Sequence, residues 1–268
     1  MDRKPRHRGG SGGGQVLLLI LASGHPVRQF DRIDSTNLEA RRLADDGERG
    51  PLWLVADEQT LGRGRLGRSW VSEPGNLYAT FLFTIAEGPQ AAAQVSFVAA
   101  LAVHDTVMAL RPELSPRIKW PNDVLIGGAK FCGVLPEVVG EAPTRIAIGC
   151  GVNIAHAPEG TPYPVAALGA DLAVASVLDQ LDAHLTRRLA QWDEGRGFTA
   201  IRADWAARAL GLGGGVTATS GTREINGTFT GLAADGALIL AQADGSLTPI
   251  HSGEVSFAEL EALRRKHA

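Results

Sequence analysis

The sequence is poor in several features that would place it in a large class at once. Of its 268 residues only two are cysteine, Cys132 and Cys150, which excludes a disulfide framework. Both lie in apolar, strand-like surroundings, where a reduced cysteine behaves as a small hydrophobe. No Cys/His spacing suits zinc. The apolar runs, such as Val16 to Ala22, fall well short of the roughly 20 residues of a membrane helix. Charge of one sign is missing too: a formal net charge of −3 creates no field that would draw nucleic acid. There is no internal repeat, and no phosphate loop ending in Gly-Lys-Ser/Thr.

What is present describes an ordinary globular chain, 44% hydrophobic and 21% charged, able to bury one sizeable core and to carry a small second domain. At the start, Arg3, Lys4, Arg6 and Arg8 precede the apolar run in the order of a secretory signal. The Gly-rich stretch 9–14 interrupts that order, so residues 1–26 read as a disordered basic and Gly-rich lead-in. Alternation over 27–33 predicts a half-buried strand. A helix over about 36–46 follows, where Thr36 and Glu39 have capping-box spacing and Gly47 supplies a stop.

Strands are expected over 52–56 and 77–85, then a long apolar helix over 91–110 that crosses the core. The Gly127-Gly128 pair predicts a tight hairpin between strands 123–126 and 130–139. Pro136 requires that its strand lie at an edge or carry a bulge there. A strand over 145–154 and helices over about 173–192 and 198–209 complete a first domain, 27–210. Composition shifts at 211–215. Beyond it, short strands at 216–220, 225–232, 237–241 and 247–251 alternate with Asn-Gly and Asp-Gly turns, which suggests a small β-barrel over 211–268.

Gly62-Arg63-Gly64-Arg65-Leu66-Gly67-Arg68 is the strongest local feature. Three guanidinium groups so close need a counter-charge, and the glycines between them let backbone N–H groups approach a ligand. Guanidinium matches phosphate or carboxylate oxygens in a two-pronged geometry. The loop reads as an anion cradle, with a solvated basic turn or an RNA contact as alternatives. Lys119-Trp120-Pro121-Asn122-Asp123, followed by Lys130, offers hard oxygen ligands beside an ammonium across the hairpin. That suits a nucleotide-borne Mg²⁺ and a reacting phosphorus centre, or else a plain surface ion pair. Asp34-Ser35-Thr36-Asn37 reads as a helix N-cap that can also turn polar groups into a pocket. In Gly149-Cys150-Gly151-Val152-Asn153 the glycines permit close approach by a ligand.

In this order, these segments resemble the biotin–protein ligase family over about Phe30 to Phe257. The resemblance implies an α/β (α+β) fold: a class II synthetase-like mixed sheet with flanking helices, plus a C-terminal SH3-like β-barrel. It implies an enzyme that uses ATP to form biotinyl-5′-AMP, with Mg²⁺, and transfers biotin to a lysine of a biotin carboxyl carrier protein. By matched position, Ser35, Thr36, Asn37 and Gln59 would hold biotin, with Gly133, Gly149 and Gly151 as close-approach positions. Arg63, Gly64, Arg65 and Arg68 correspond to a loop that orders over biotin and the adenylate. Trp70, Asn122 and Asn153 would serve the nucleotide. Lys130 matches the lysine between carboxylate and α-phosphate, and Asp123 a Mg²⁺-linked acid.

Leu66 stands where some relatives have arginine. Some relatives also carry an N-terminal winged-helix DNA-binding domain, which the residues before the first expected strand cannot form, so no DNA partner is expected. No membrane partner is expected either, and the protein would act in the cytoplasm as a monomer or homodimer. Rival readings are a lipoate–protein ligase of the same architecture, a ligand sensor without turnover, and an RNA-binding module. Gln59 with the arginine loop favours biotin over lipoate, retention of Lys130 and Asp123 argues against a sensor, and the acidic charge argues against RNA.

Overall fold

The computed structural model describes residues 16–220, 223–258 and 260. In chain order the elements are β1 (Val16–Ile20), β2 (Pro26–Ile33), α1 (Thr36–Asp45), β3 (Leu52–Gln59), β4 (Leu77–Ile85), α2 (Pro89–Ala92) and α3 (Val95–Leu110). After these come β5 (Arg117–Lys119), β6 (Asp123–Ile126), β7 (Ala129–Glu141), β8 (Thr144–Val152), α4 (Val174–Trp192) and α5 (Phe198–Arg208). The last stretch holds β9 (Gly215–Ser220), β10 (Arg223–Leu232), β11 (Leu238–Ala241), β12 (Leu247–Ile250) and β13 (Glu254–Phe257).

An eight-stranded sheet runs β1-β2-β3-β4-β8-β7-β6-β5. It is mixed, because β2 and β3 pair parallel while the other neighbours pair antiparallel. A parallel pair needs a crossover, and α1 supplies it. Period-2 alternation then divides the side chains between two faces. Trp53, Val55, Ala79, Phe81 and Ile148 join the large core under α3, α4 and α5. Leu52, Leu54, Ala56, Leu82 and Ala147 pack under α1 on the other face. The segment Pro89–Leu110 is long and apolar enough by composition to cross a membrane. Most residues of α3 are instead buried in the protein, as an all-round apolar helix requires.

Two polar clusters lock the layers. The buried Asp182 carboxylate on α4 accepts from Trp53 Nε1 at 2.8 Å and pairs with His25 Nδ1 at 2.6 Å. This fastens the turn between β1 and β2 to the helical layer. Asp105 on α3 pairs with Arg188 of α4 at 2.7 Å, and Arg188 in turn reaches Asp204 of α5 at 2.5 Å.

The second sheet runs β12-β11-β10-β9-β13, entirely antiparallel, and forms the SH3-like part. Its Phe229, Leu238 and Phe257 belong to the same core as α3. Trp120 Nε1 donates to Gly236 O at 3.2 Å, so the turn before β6 is tied to this sheet.

Several expectations need correction. Residues 16–20, expected within a disordered lead-in, form an edge strand paired with β2 along its length. Residues 1–15 of that lead-in lie outside the described residues. The helix expected over 91–110 is broken at Ala93 and Gln94 into α2 and α3. The short strands β5 and β13 were not among the expected elements. The expected capping box is absent: Ser35 is the N-cap without a side-chain cap bond, and the Thr36 hydroxyl is used elsewhere. Pro136 lies in an interior strand, yet its position is a local edge. β6 ends its pairing at Gly133 and Val134 N donates to Asn122 O, so two residues later the missing N–H faces no strand. A bulge follows between Val138 and Gly140. Gly127 and Gly128 have φ of 56° and 84°, the left-handed pair that a tight hairpin demands.

Candidate active site

A cavity of about 780 Å³ opens beside the N-terminus of α1, between the sheet, the loop after β3 and the edge of the second sheet. That volume lies within the usual range for small-molecule sites, on the order of 300–1,000 Å³. Its wall at the α1 end is neutral and polar. Thr36 N–H and Oγ1 lie 2.9 and 3.1 Å from Gln59 Oε1, and Gln59 Nε2 donates to Ser72 Oγ at 2.9 Å. Asn37 Nδ2 donates to Glu137 Oε2 at 2.7 Å and to Leu135 O at 3.2 Å. Asp34 stays behind this wall. A two-pronged bond from Arg42, at 2.8 Å on both arms, holds its carboxyl below the usual carboxylate range.

The floor is made of glycine for steric reasons. A Cβ on Gly149 would sit 2.3 Å from Asn37 Oδ1, and one on Gly151 would sit 2.5 Å from Trp70 Cε2. At Gly133 it would come within 3.0 Å of Trp70 Cζ3 and 3.3 Å of Lys130 Nζ. These three positions face α1 and the indole of Trp70. Trp70 Nε1 is buried and has no hydrogen-bond partner among the described residues.

The arginine loop is a closed turn in its own right. Gly64 N donates to Arg68 O at 2.7 Å, Arg68 N to Arg65 O at 3.2 Å, and Trp70 N to Gly62 O at 2.9 Å. Leu66, 73% exposed, holds a left-handed φ of 56° at the tip. Each arginine hooks a different wall. Arg63 reaches Glu137 on β7 at 3.5 Å, Arg65 donates to Asn122 Oδ1 at 3.0 Å, and Arg68 pairs with Glu254 on β13. Burial lowers the Arg65 guanidinium from its ordinary value, with Asp123 opposing and Arg68 adding to that shift.

At the cationic end Lys130 Nζ pairs with Asp123 Oδ1 at 2.8 Å. The ammonium lies 5.2 Å from the ring of Trp70 and 5.6 Å from that of Tyr163, a cation–π placement on both. Asn122 Nδ2 donates to Val134 O at 2.5 Å, leaving its oxygen for Arg65. Among the described residues no group of three His, Cys, Asp or Glu side chains could hold a metal ion. A single carboxylate beside an ammonium fits only a cation that brings further ligands with it.

The sequence-based candidates therefore converge. Ser35, Thr36, Asn37, Gln59, Arg63, Gly64, Arg65, Arg68, Trp70, Asn122, Asp123, Lys130, Gly133, Gly149 and Gly151 all line this cavity. Asn153 does not. It is buried behind the wall, where Nδ2 donates to Ala166 O at 3.1 Å and its backbone accepts from Leu168 N at 3.1 Å. Its part is to hold the chain after β8. Sequence reasoning missed Thr80, Glu137, Tyr163 and Glu254. Thr80 and Glu137 left a signal: one is a polar residue inside an apolar strand, and the other shares the face of Gly133 by even spacing. Tyr163 and Glu254 reach the cavity only through tertiary packing.

Residues 29–153 match the sequence profile of the biotin/lipoate A/B protein ligase family, and residues 211–258 that of the biotin protein ligase C-terminal domain. The fold and the cavity thus define a protein of the biotin/lipoate ligase class. The chain is 43% identical over 238 residues to the biotin–[acetyl-CoA-carboxylase] ligase of Paracoccus denitrificans, covering 84% of this chain and 98% of that one. It is 33% identical to the bifunctional ligase/repressor BirA of Bacillus spizizenii, over 84% of this chain and 72% of that one. The solved biotin protein ligase from Aquifex aeolicus, in complex with biotin and ATP, superposes with a TM-score of 0.74 at 28% identity, covering 86% and 97% of the two chains. This chain belongs to the biotin–protein ligase family.

Proposed function

We propose that this cavity joins biotin to AMP and then passes biotin to a lysine of a carboxylase carrier protein. The observation that carries the assignment is the polarity of this cavity: a neutral hydrogen-bonding wall at Thr36 and Gln59 at one end, and clustered cations around Lys130 and Arg65 at the other. A rigid, uncharged ring needs directed polar contacts, whereas its carboxylate and the nucleotide phosphates need positive charge.

In the first step the biotin carboxylate attacks the α-phosphorus of ATP, and pyrophosphate leaves with the electrons of the broken P–O bond. Lys130 and Arg65 offset the repulsion between the two anions and stabilise the charge that grows on the phosphoryl oxygens. In the second step a neutral acceptor lysine amine attacks the acyl carbon of the mixed anhydride; the acyl C–O bond breaks, AMP departs with its electrons, and the amine's surplus proton passes to solvent. Arg63, Arg65 and Arg68 draw the loop against three walls and so exclude water from the anhydride. Mg²⁺ would enter on the nucleotide phosphates next to Asp123 and neutralise part of their charge. Ser35, Asn37 and Gly64 complete the biotin end, and Trp70 and Asn122 the nucleotide end.

The acceptor is a biotin carboxyl carrier domain, and DNA is no partner for a chain of net charge −3. The chain works as a monomer or homodimer in the cytoplasm, where ATP is at hand. Incubation with ATP, Mg²⁺, labelled biotin and a carrier domain should label the carrier. Pyrophosphate exchange supported by lipoate and not by biotin would overturn the assignment.

A further inference from the structure

Four oxygens stand in a row behind the α1 end of the cavity: Asn37 Oδ1, Thr80 Oγ1, Thr36 Oγ1 and Gln59 Oε1. They are separated by 2.6, 2.8 and 3.1 Å. Both ends of the row can only accept. Asn37 gives its Nδ2 protons to a carboxylate, Glu137, and to a carbonyl, Leu135 O, neither of which can donate in return. Its amide is therefore fixed with the oxygen toward Thr80. At the other end Gln59 Oε1 accepts the Thr36 backbone N–H, and Gln59 Nε2 donates to Ser72, whose own proton goes to Trp70 O. Two hydroxyl protons must serve three contacts. The row is one proton short.

Two oxygens that face each other without a proton are costly when buried. Thr80 is 0% exposed and beyond a ligand's reach, whereas Asn37, Thr36 and Gln59 line the cavity, and Asn37 Oδ1 already holds the shortest contact of the row, 2.6 Å from Thr80. The deficit is thus presented to the ligand at its widest contact, 3.1 Å, between Thr36 and Gln59. A ligand N–H supplies the missing proton there; a ligand acceptor adds one more lone pair. A cyclic urea carries ring N–H groups, and a dithiolane ring carries none.

We propose that Glu137 and Thr80 are positioning residues that fix the direction of this row, so that the wall selects a ring bearing N–H donors. The proposal rests on the biotin reading given above. Glu137→Gln replaces the nearer of the two acceptors that fix the Asn37 amide with a group that can also donate, which weakens the bias that keeps the row one proton short; it also removes the pair with Arg63. Thr80→Val frees the Thr36 proton for Gln59 and removes the deficit, in a side chain of nearly the same shape. Thr80→Ser keeps the row intact.

The test is calorimetric titration of the full chain with biotin and with biotin N-methylated on the ureido ring. The wild type should prefer biotin by about tenfold or more, the value of a buried acceptor left unpaired. In Glu137→Gln and Thr80→Val biotin should weaken and the preference should shrink by about tenfold, while Thr80→Ser restores it. Should Glu137→Gln fail to fold, the two Thr80 variants decide alone. A loosened site would weaken both ligands alike, so an unchanged preference in Thr80→Val overturns the proposal. Failure of the wild type to bind biotin at all would instead overturn the ligase reading, and the proposal with it.

Discussion

Replacing Gly151 by alanine puts one methyl group into the floor of the cavity. The new carbon would lie 2.5 Å from Trp70 Cε2, 2.7 Å from Nε1 and 2.8 Å from Cζ2. Carbon atoms in contact sit about 3.5–4.0 Å apart, so the indole must retreat by about 1 Å. The indole is rigid and cannot bend away as a flexible side-chain end would. Overpacking of this kind costs about 1–3 kcal/mol when it occurs in a closed core. Trp70 instead sits half-buried on a loop, and the retreat toward the cavity relieves most of the strain. At about 2–4 °C per kcal/mol for a chain of this size, the melting temperature should fall by a few degrees at most.

The site has less tolerance. Trp70 carries Lys130 Nζ at 5.2 Å from its ring, so moving the indole displaces the ammonium and narrows the slot above Gly149. A 1 Å misplacement of reacting groups costs up to about 10²-fold in rate. Biotin-dependent ATP–pyrophosphate exchange should therefore fall by about 10- to 100-fold in a protein that still melts cooperatively. Exchange within twofold of the wild type at saturating biotin would show that nothing reacts against this floor.

Lys130→Ala should lower pyrophosphate exchange by about 10²–10³-fold, the usual loss for one charge-stabilising donor, with the fold intact by circular dichroism. Near-normal exchange refutes its role. Arg65→Gly unhooks the loop from Asn122 and should let the adenylate escape, so that labelled biotin appears on bystander proteins; unchanged retention of the adenylate on gel filtration counts against a closing loop. At Asp105, burial pushes the carboxyl up, but the His104 bond and Arg188 outweigh it and hold the value at about 2. A carboxyl lowered in the folded state stabilises above its unfolded value near 3.8 and loses that contribution as pH falls toward 2. It is worth about 2 kcal/mol. Acid titration of wild type against Asp105→Asn should differ in slope only below about pH 4, and parallel curves there would sink the argument.

The elements with strong local signals were legible without a structure. The alternation of 27–33, the Gly127-Gly128 turn and the long apolar α3 each follow from period or turn chemistry alone. The arginine loop and the Lys119–Asp123 run stood out by their charge and backbone patterns, but each kept a plain surface reading until the structure set them on one cavity. Short β5 and β13 were not legible: three or four residues carry no usable period, and these two lack the Gly-Gly, Asn-Gly or Asp-Gly turns that marked the equally short β6, β11 and β12. The strand at 16–20 was misread because its side chains stay exposed, between 41% and 71%, and its place depends on pairing with β2.

The capping residues show most clearly where local reading stops. Thr36 has the spacing of a cap, yet its hydroxyl turns inward because Gln59 and Thr80 approach from β3 and β4. Asn153 erred in the opposite direction: it stands in a glycine-rich strand end that suits a ligand, but its amide is spent on Ala166. The sequence by itself determined the kinds of group available, which residues are charged and where the backbone can turn or come close, because these are properties of single residues and near neighbours. Only tertiary structure decided which groups meet. Asp34 and Asn37 are three positions apart, yet one is clamped by Arg42 behind the wall and the other faces the cavity floor. Glu137 and Arg63 meet across 74 positions because β7 runs beneath the loop that follows β3.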